Sequence, residues 1–86
     1  MKNMLNFANF SSDELMEILE NLRPDVDFEN ETALVTDEIL QSFDIVSLVG
    51  EIDSVFDVEI TPVDLIPENF NSAGAIWDLI RRKLDE

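Results

Sequence analysis

The chain contains no cysteine and no histidine, which removes thiol nucleophiles, disulfides, zinc sites and the usual neutral-pH base together. What remains for chemistry is a large set of carboxylates and some hydroxyls. A pair of acids can be nominated as general acid and base in any chain with 20 of them. Without a histidine, a cysteine or a Gly-rich loop, no pair here has a partner that would activate it. Asp25, Asp27, Glu29 and Glu31 alternate like the opening of a calcium-binding loop. Counted from Asp25, the position that demands glycine holds Asn30 and the one that demands a bidentate glutamate holds Thr36, so that reading fails at two demanding positions.

The charge balance narrows the field further. Lys+Arg is 5 against Asp+Glu 20, a formal net charge of -15. Such a field repels nucleic acid and anionic membranes within a Debye length and steers basic protein surfaces into encounter. Mimicry of nucleic acid by an acidic protein stays open. At 86 residues the chain has room for one domain and one modest core, so a cleft between two domains is excluded and function must sit on or near the surface. Its apolar fraction of 45%, with Gly 2 and Pro 3, is that of a folded domain. The opening Met1-Lys2-Asn3-Met4-Leu5 is not followed by an apolar run of signal-peptide length, and no window approaches a membrane span. Cytoplasmic residence without membrane contact is expected.

Residues 1–10 read as a loose lead-in to a single domain over 11–86. Ser11 and Glu14 form a capping box, with Phe10 and Leu15 placed as a hydrophobic staple. Leu15, Ile18, Leu19 and Leu22 then recur at helical spacing until Pro24 disfavours helix at Arg23. This predicts a helix from about Ser12 to Leu22. A long connection follows over 25–36, with Ala33, Leu34 and Val35 tucked into the core. From Ile39 to Val58 the residues Phe43, Val46, Val49, Ile52, Val55 and Phe56 fit one apolar helical stripe, with Asp44, Glu51 and Ser54 around the opposite face. Period alone would let this helix begin at Asp37. Thr61-Pro62 reads as an N-cap followed by proline at the first helical position, with Pro67 stopping a short helix. Ser72 caps the last helix, whose Ala73, Ile76, Trp77, Ile80 and Leu84 form a stripe and whose Arg81-Arg82-Lys83 complement the helix C-terminus. Three longer helices and one short one imply an all-α fold, a small antiparallel four-helix bundle around one core.

Within this frame, Ser42-Phe43-Asp44-Ile45-Val46-Ser47-Leu48, Ile52-Asp53 and Phe56-Asp57-Val58-Glu59-Ile60 resemble the signature stretch of the acyl and peptidyl carrier proteins. That family has Asp-Ser-Leu, an acid, Val and Leu one turn on, then Phe-Asp and an Ile before a short helix. The resemblance extends through helix order over about Ser11 to Leu84. It implies that Ser42 is the attachment site for 4′-phosphopantetheine, transferred from coenzyme A by a phosphopantetheinyl transferase. The arm's thiol would then hold an acyl or aminoacyl group as a thioester, supplying the sulfur this chain lacks. A helix start also suits a phosphodiester physically, through its unpaired N–H groups and dipole, by about 0.3–1 kcal/mol. Taken alone, Ser42 would be an ordinary N-cap; the surrounding register makes modification the better reading.

The resemblance further implies a monomeric, non-catalytic shuttle that meets a loading ligase or transferase and condensing or modifying enzymes in fatty-acid, polyketide or ligase-dependent biosynthesis. Asp44 and Asp53 match family acids that dock basic partner patches, and Glu51 and Asp57 supplement them, because Ser47 and Ser54 stand where acids are common. Gln41 replaces the family's usual Asp before the serine. Phe43 and Val46 stand at apolar partner-touching or cargo-slot positions, though core packing explains Val46 equally well. Gly50, mid-helix, leaves room either for a partner or for tight packing against the first helix. The absence of Gly-Ala before the serine leans toward stand-alone carriers loaded by an adenylating ligase. The rival reading from another class is an unmodified acidic interaction module or nucleic-acid mimic.

Overall fold

The computed structural model describes residues 11–85; the expectations for residues 1–10, including the Phe10 half of the staple, lie outside them. Among the described residues the fold is all-helical, with no strand. Helix α1 spans Ser12–Leu22, α2 spans Ser42–Phe56, a 3-10 turn spans Pro62–Asp64, α3 spans Pro67–Phe70 and α4 spans Ala73–Leu84. None of them is long and apolar enough to cross a membrane.

The local causes are those of helix capping. The Ser11 N–H donates to Glu14 Oε1 at 2.9 Å, closing the reach-back half of the box that starts α1. At α4 the Ser72 hydroxyl accepts from the Ala75 N–H at 3.0 Å. Both helices have the expected bounds. Leu15 and Leu19 of α1, Leu48, Ile52 and Phe56 of α2, and Ile76, Leu79 and Ile80 of α4 are buried in one cluster. Burying each such side chain contributes roughly 1.5–3 kcal/mol against leaving it in water. Helix α1 packs against α2 and α4, and α2 and α3 also pack on α4. The connections add Phe28, Leu34, Leu40 and Ile60 to the same core, and α3 adds Phe70. Thus Leu34 tucks in as expected, while Ala33 and Val35 are half-buried.

Three expectations are corrected by the structure. The second helix begins at Ser42 and not at Asp37 or Ile39, because Glu38 adopts a left-handed φ of 60° and Gln41 is extended. It ends at Phe56, before Val58, because Asp57 takes a left-handed φ of 56°, a conformation that stops a helix and that Asp tolerates better than most residues. Its apolar stripe is also turned: Phe43, Val46 and Val55 point outward, and Leu48, Ile52 and Phe56 face the core with Ile45 and Val49 beside them. Beyond these, the short helix opened by Thr61 and Pro62 is a 3-10 turn that ends before Pro67 as expected, and Pro67 then opens a further short helix, α3, at its first position, where its missing N–H is no loss.

Candidate functional site

The start of α2 is held by contacts from three parts of the chain. Gln41, the N-cap, donates its backbone N–H to Asp44 Oδ2 at 3.0 Å and its side-chain Nε2–H to the Glu38 carbonyl at 2.7 Å. The same Asp44 oxygen accepts from Arg23 Nη1 at 2.8 Å. Arg23 Nη1 also donates to the Ile39 carbonyl at 3.0 Å, while Nε and Nη2 fork onto the Asp25 carboxylate at 3.0 and 2.8 Å. Arg23 is itself the C-cap of α1, so one guanidinium ties the end of the first helix to the start of the second. The fork from Arg23 holds the Asp25 carboxyl below its ordinary range, and the Asp25 hydrogen bond in turn is the main cause that raises Arg23 above its own.

A second strut reaches the approach to α2 from the far side. The Leu34 N–H donates to the Asn71 carbonyl at 2.9 Å, and Asn71 Oδ1 accepts from the N–H groups of Val35 and Thr36 at 2.9 and 3.0 Å. The Leu40 N–H returns to the Leu34 carbonyl at 2.8 Å, so the segment entering α2 is folded back on itself and stapled to the residue that follows α3.

On this base Ser42 occupies the first helical position, exposed. No described side chain hydrogen-bonds its hydroxyl. The site therefore gives the hydroxyl access without activation: any base that deprotonated it would come from elsewhere. The N–H groups of the first turn, which no intrahelical carbonyl can take, are directed toward the same end.

The other residues expected at the site divide. Phe43 is 79% and Val46 70% exposed, and Gln41, Glu51 and Asp57 are exposed as well. Asp44 is engaged inside, its side chain only 13% exposed beneath Arg23. Asp53 accepts from the Ile60 N–H at 3.1 Å, fixing the chain after the helix. Each of these two carboxylates is turned to a partner within its own chain. Gly50 is exposed, and a Cβ built on it would meet nothing within 4 Å, so the packing explanation for it falls.

Beside Ser42, one turn along α2, Ile45 lines a small apolar cleft of about 70 Å³ with Val35, Leu65, Ile66, Pro67 and Phe70. The far wall of that cleft is fastened to α4. Asp64 Oδ2 receives Lys83 Nζ at 2.7 Å together with the Thr61 N–H at 2.9 Å and hydroxyl at 3.1 Å. The Lys83 hydrogen bond, before that of Thr61, lowers the Asp64 carboxyl below its ordinary value. Arg82 Nη2 adds a bond to Asn69 Oδ1 at 3.2 Å. Arg23, Asn71 and Lys83 shape the site through partners well separated along the chain, so these contacts carry no signal in local sequence pattern.

No protein-family model, curated protein or solved structure matches this chain.

Proposed function

We propose that the chain is an acyl carrier, with 4′-phosphopantetheine attached through a phosphodiester to Ser42 and an acyl or aminoacyl group held on the arm as a thioester. The observation that carries the proposal is the exposed hydroxyl at the first position of α2, on a base tied down by Arg23 and Asn71. The group fits there: the hydroxyl is unencumbered, and the helix end offers N–H groups and a positive dipole to a phosphate. When attached, the arm supplies the thiol that a chain without cysteine lacks. Ser42 anchors it, and Arg23 and Asp44 keep that anchor fixed in orientation.

The same reading takes the helices as an antiparallel four-helix bundle of the carrier type, with the 3-10 turn and α3 together in the place of the short third helix. A phosphopantetheinyl transferase brings the base that is missing beside Ser42, and a loading ligase and downstream enzymes then meet the face around it. Intact mass tests this. Incubation with coenzyme A and a promiscuous transferase is expected to add one phosphopantetheine to the wild-type chain and none to Ser42→Ala. A wild-type mass unchanged after treatment with several competent transferases overturns it and leaves an unmodified acidic interaction module as the reading.

A further inference from the structure

The segment from Asp37 to Gln41 has the pattern of a helix and does not form one. Ile39 and Leu40 continue the apolar period of α2 upstream, yet Glu38 stands at a left-handed φ of 60° and Gln41 is extended at φ -93° and ψ 170°. Left-handed backbone favours Gly, Asn and Asp over Glu. Gln is likewise not among the residues favoured at an N-cap. Two residues that local preference would not select thus stand at either end of the break, and they are bonded to each other: Gln41 Nε2 donates to the Glu38 carbonyl at 2.7 Å.

That carbonyl is the one that decides the state of Ser42. In an α-helix each N–H donates to the carbonyl four residues back, so a helix running upstream to Asp37 would bond the Ser42 N–H to the Glu38 carbonyl. A serine inside such a helix can turn its hydroxyl onto the same oxygen. Ser42 would then be an interior helical residue with both polar groups engaged. In the structure the Gln41 amide holds that acceptor, and among the described residues no carbonyl accepts the Ser42 N–H. The next carbonyl, of Ile39, is held in the same manner by Arg23 Nη1 at 3.0 Å. A carboxylate at position 41 could not do this, because an ionised acid has no proton to donate to a carbonyl.

We propose that Gln41 is a positioning residue: by holding the Glu38 carbonyl it stops α2 from extending upstream and keeps the N–H and hydroxyl of Ser42 at the open end of the helix. This deepens the carrier proposal and rests on it for the consequence to Ser42 modification, while the placement of the helix start rests on the bond and the backbone geometry alone. Glutamine at this position then acts within its own chain, in place of contact with a transferase.

The test is amide hydrogen exchange with Cα chemical shifts over residues 37–45, by NMR on the full chain. Gln41→Met keeps the length of the side chain and removes its donor. It is expected to slow exchange at the Ser42 N–H about five-fold, the equivalent of one ordinary hydrogen bond, and to spread helical shifts back to Glu38. Adding Glu38→Gly, which favours the left-handed turn and opposes helix, is expected to return the exchange rate to within about two-fold of wild type and the shifts with it. Both positions are exposed, and circular dichroism confirms that the variants fold. No change at Ser42 in Gln41→Met, or a change that Glu38→Gly does not reverse, overturns the inference. With coenzyme A and a transferase that modifies the wild type, Gln41→Met is expected to lower kcat about three-fold through the displaced hydroxyl, with KM for the chain unchanged, and the double variant to recover it. A raised KM that the double variant does not relieve assigns Gln41 to the transferase contact and overturns the positioning role. A wild type that no competent transferase modifies overturns the carrier proposal, and the exchange measurements then decide the helix start by themselves.

Discussion

Phe43 and Phe56 belong to the same helix, and one is 79% exposed while the other is fully buried. Phe56 lies in the core and meets Trp77 edge-on, ring centroids 5.8 Å apart. Phe43 follows Ser42 on the opposite side, with its ring in solvent. The inner row of α2 holds the fold together, and the outer row is available to something else. The same amino acid is therefore a structural residue at one end of α2 and a surface feature at the other, and sequence type alone does not distinguish them.

The largest effect expected from breaking this comparison is at the buried member. Phe56→Ala should lower the unfolding free energy by about 3–5 kcal/mol, through lost transfer energy and the cavity left behind, whereas Phe43→Ala should stay within about 0.5 kcal/mol of wild type. Urea denaturation of both variants measures the contrast, and similar losses at the two positions would erase the distinction.

Gly50 sharpens the outer half of the comparison. Gly50→Ala should raise stability by about 1 kcal/mol, as expected for an exposed helical site, because the added methyl meets no neighbour. The denaturation midpoint reports it. A stabilised variant would place the reason for the glycine outside its packing within the chain.

The smallest of these effects concerns the far wall of the cleft. Lys83→Met should destabilise by somewhat under about 1 kcal/mol at neutral pH, the range of a mostly solvent-shielded but not buried ion pair. The sign follows from Asp64, whose carboxyl is lower in the folded chain than its ordinary value, chiefly through Lys83. Its stabilisation is thus complete above the ordinary carboxylate pKa and is lost as pH falls through the lowered one. The gap between wild type and variant should be constant from neutral pH down to about pH 5 and narrow as pH falls below the ordinary carboxylate range and through the lowered pKa of Asp64. A gap that persists in acid would assign Lys83 a packing role in place of an electrostatic one.

How far these features could be seen beforehand varies along the chain. Helices α1 and α4 have their signals in adjacent residues: Ser11 with Glu14, Ser72, and Pro24 just past the end. Their bounds follow from short-range chemistry. The ends of α2 do not, because apolar residues at 39 and 40 extend the periodic pattern upstream while a left-handed turn at Glu38, a residue type with no marked preference for it, breaks the helix. The orientation of α2 was legible only in part, since Phe43 and Val46 fit an apolar stripe as well as Leu48 and Ile52 do, and packing against α1 and α4 decides between them. Ser42 could be singled out from its neighbours in sequence. The inward bonds of Asp44 and Asp53 could not, because their partners, Arg23 and Ile60, are brought to them by loops.

The edge-on pair of Phe56 and Trp77 has a practical corollary. Trp77 is the only tryptophan and there is no tyrosine, so ultraviolet-excited emission comes from a single indole beside the last residue of α2. That chromophore is at the opposite end of the helix from Ser42. Its spectrum should register melting of the interior while remaining indifferent to whatever is joined to the serine, giving an intrinsic optical gauge of foldedness that needs no label and can run alongside mass measurements.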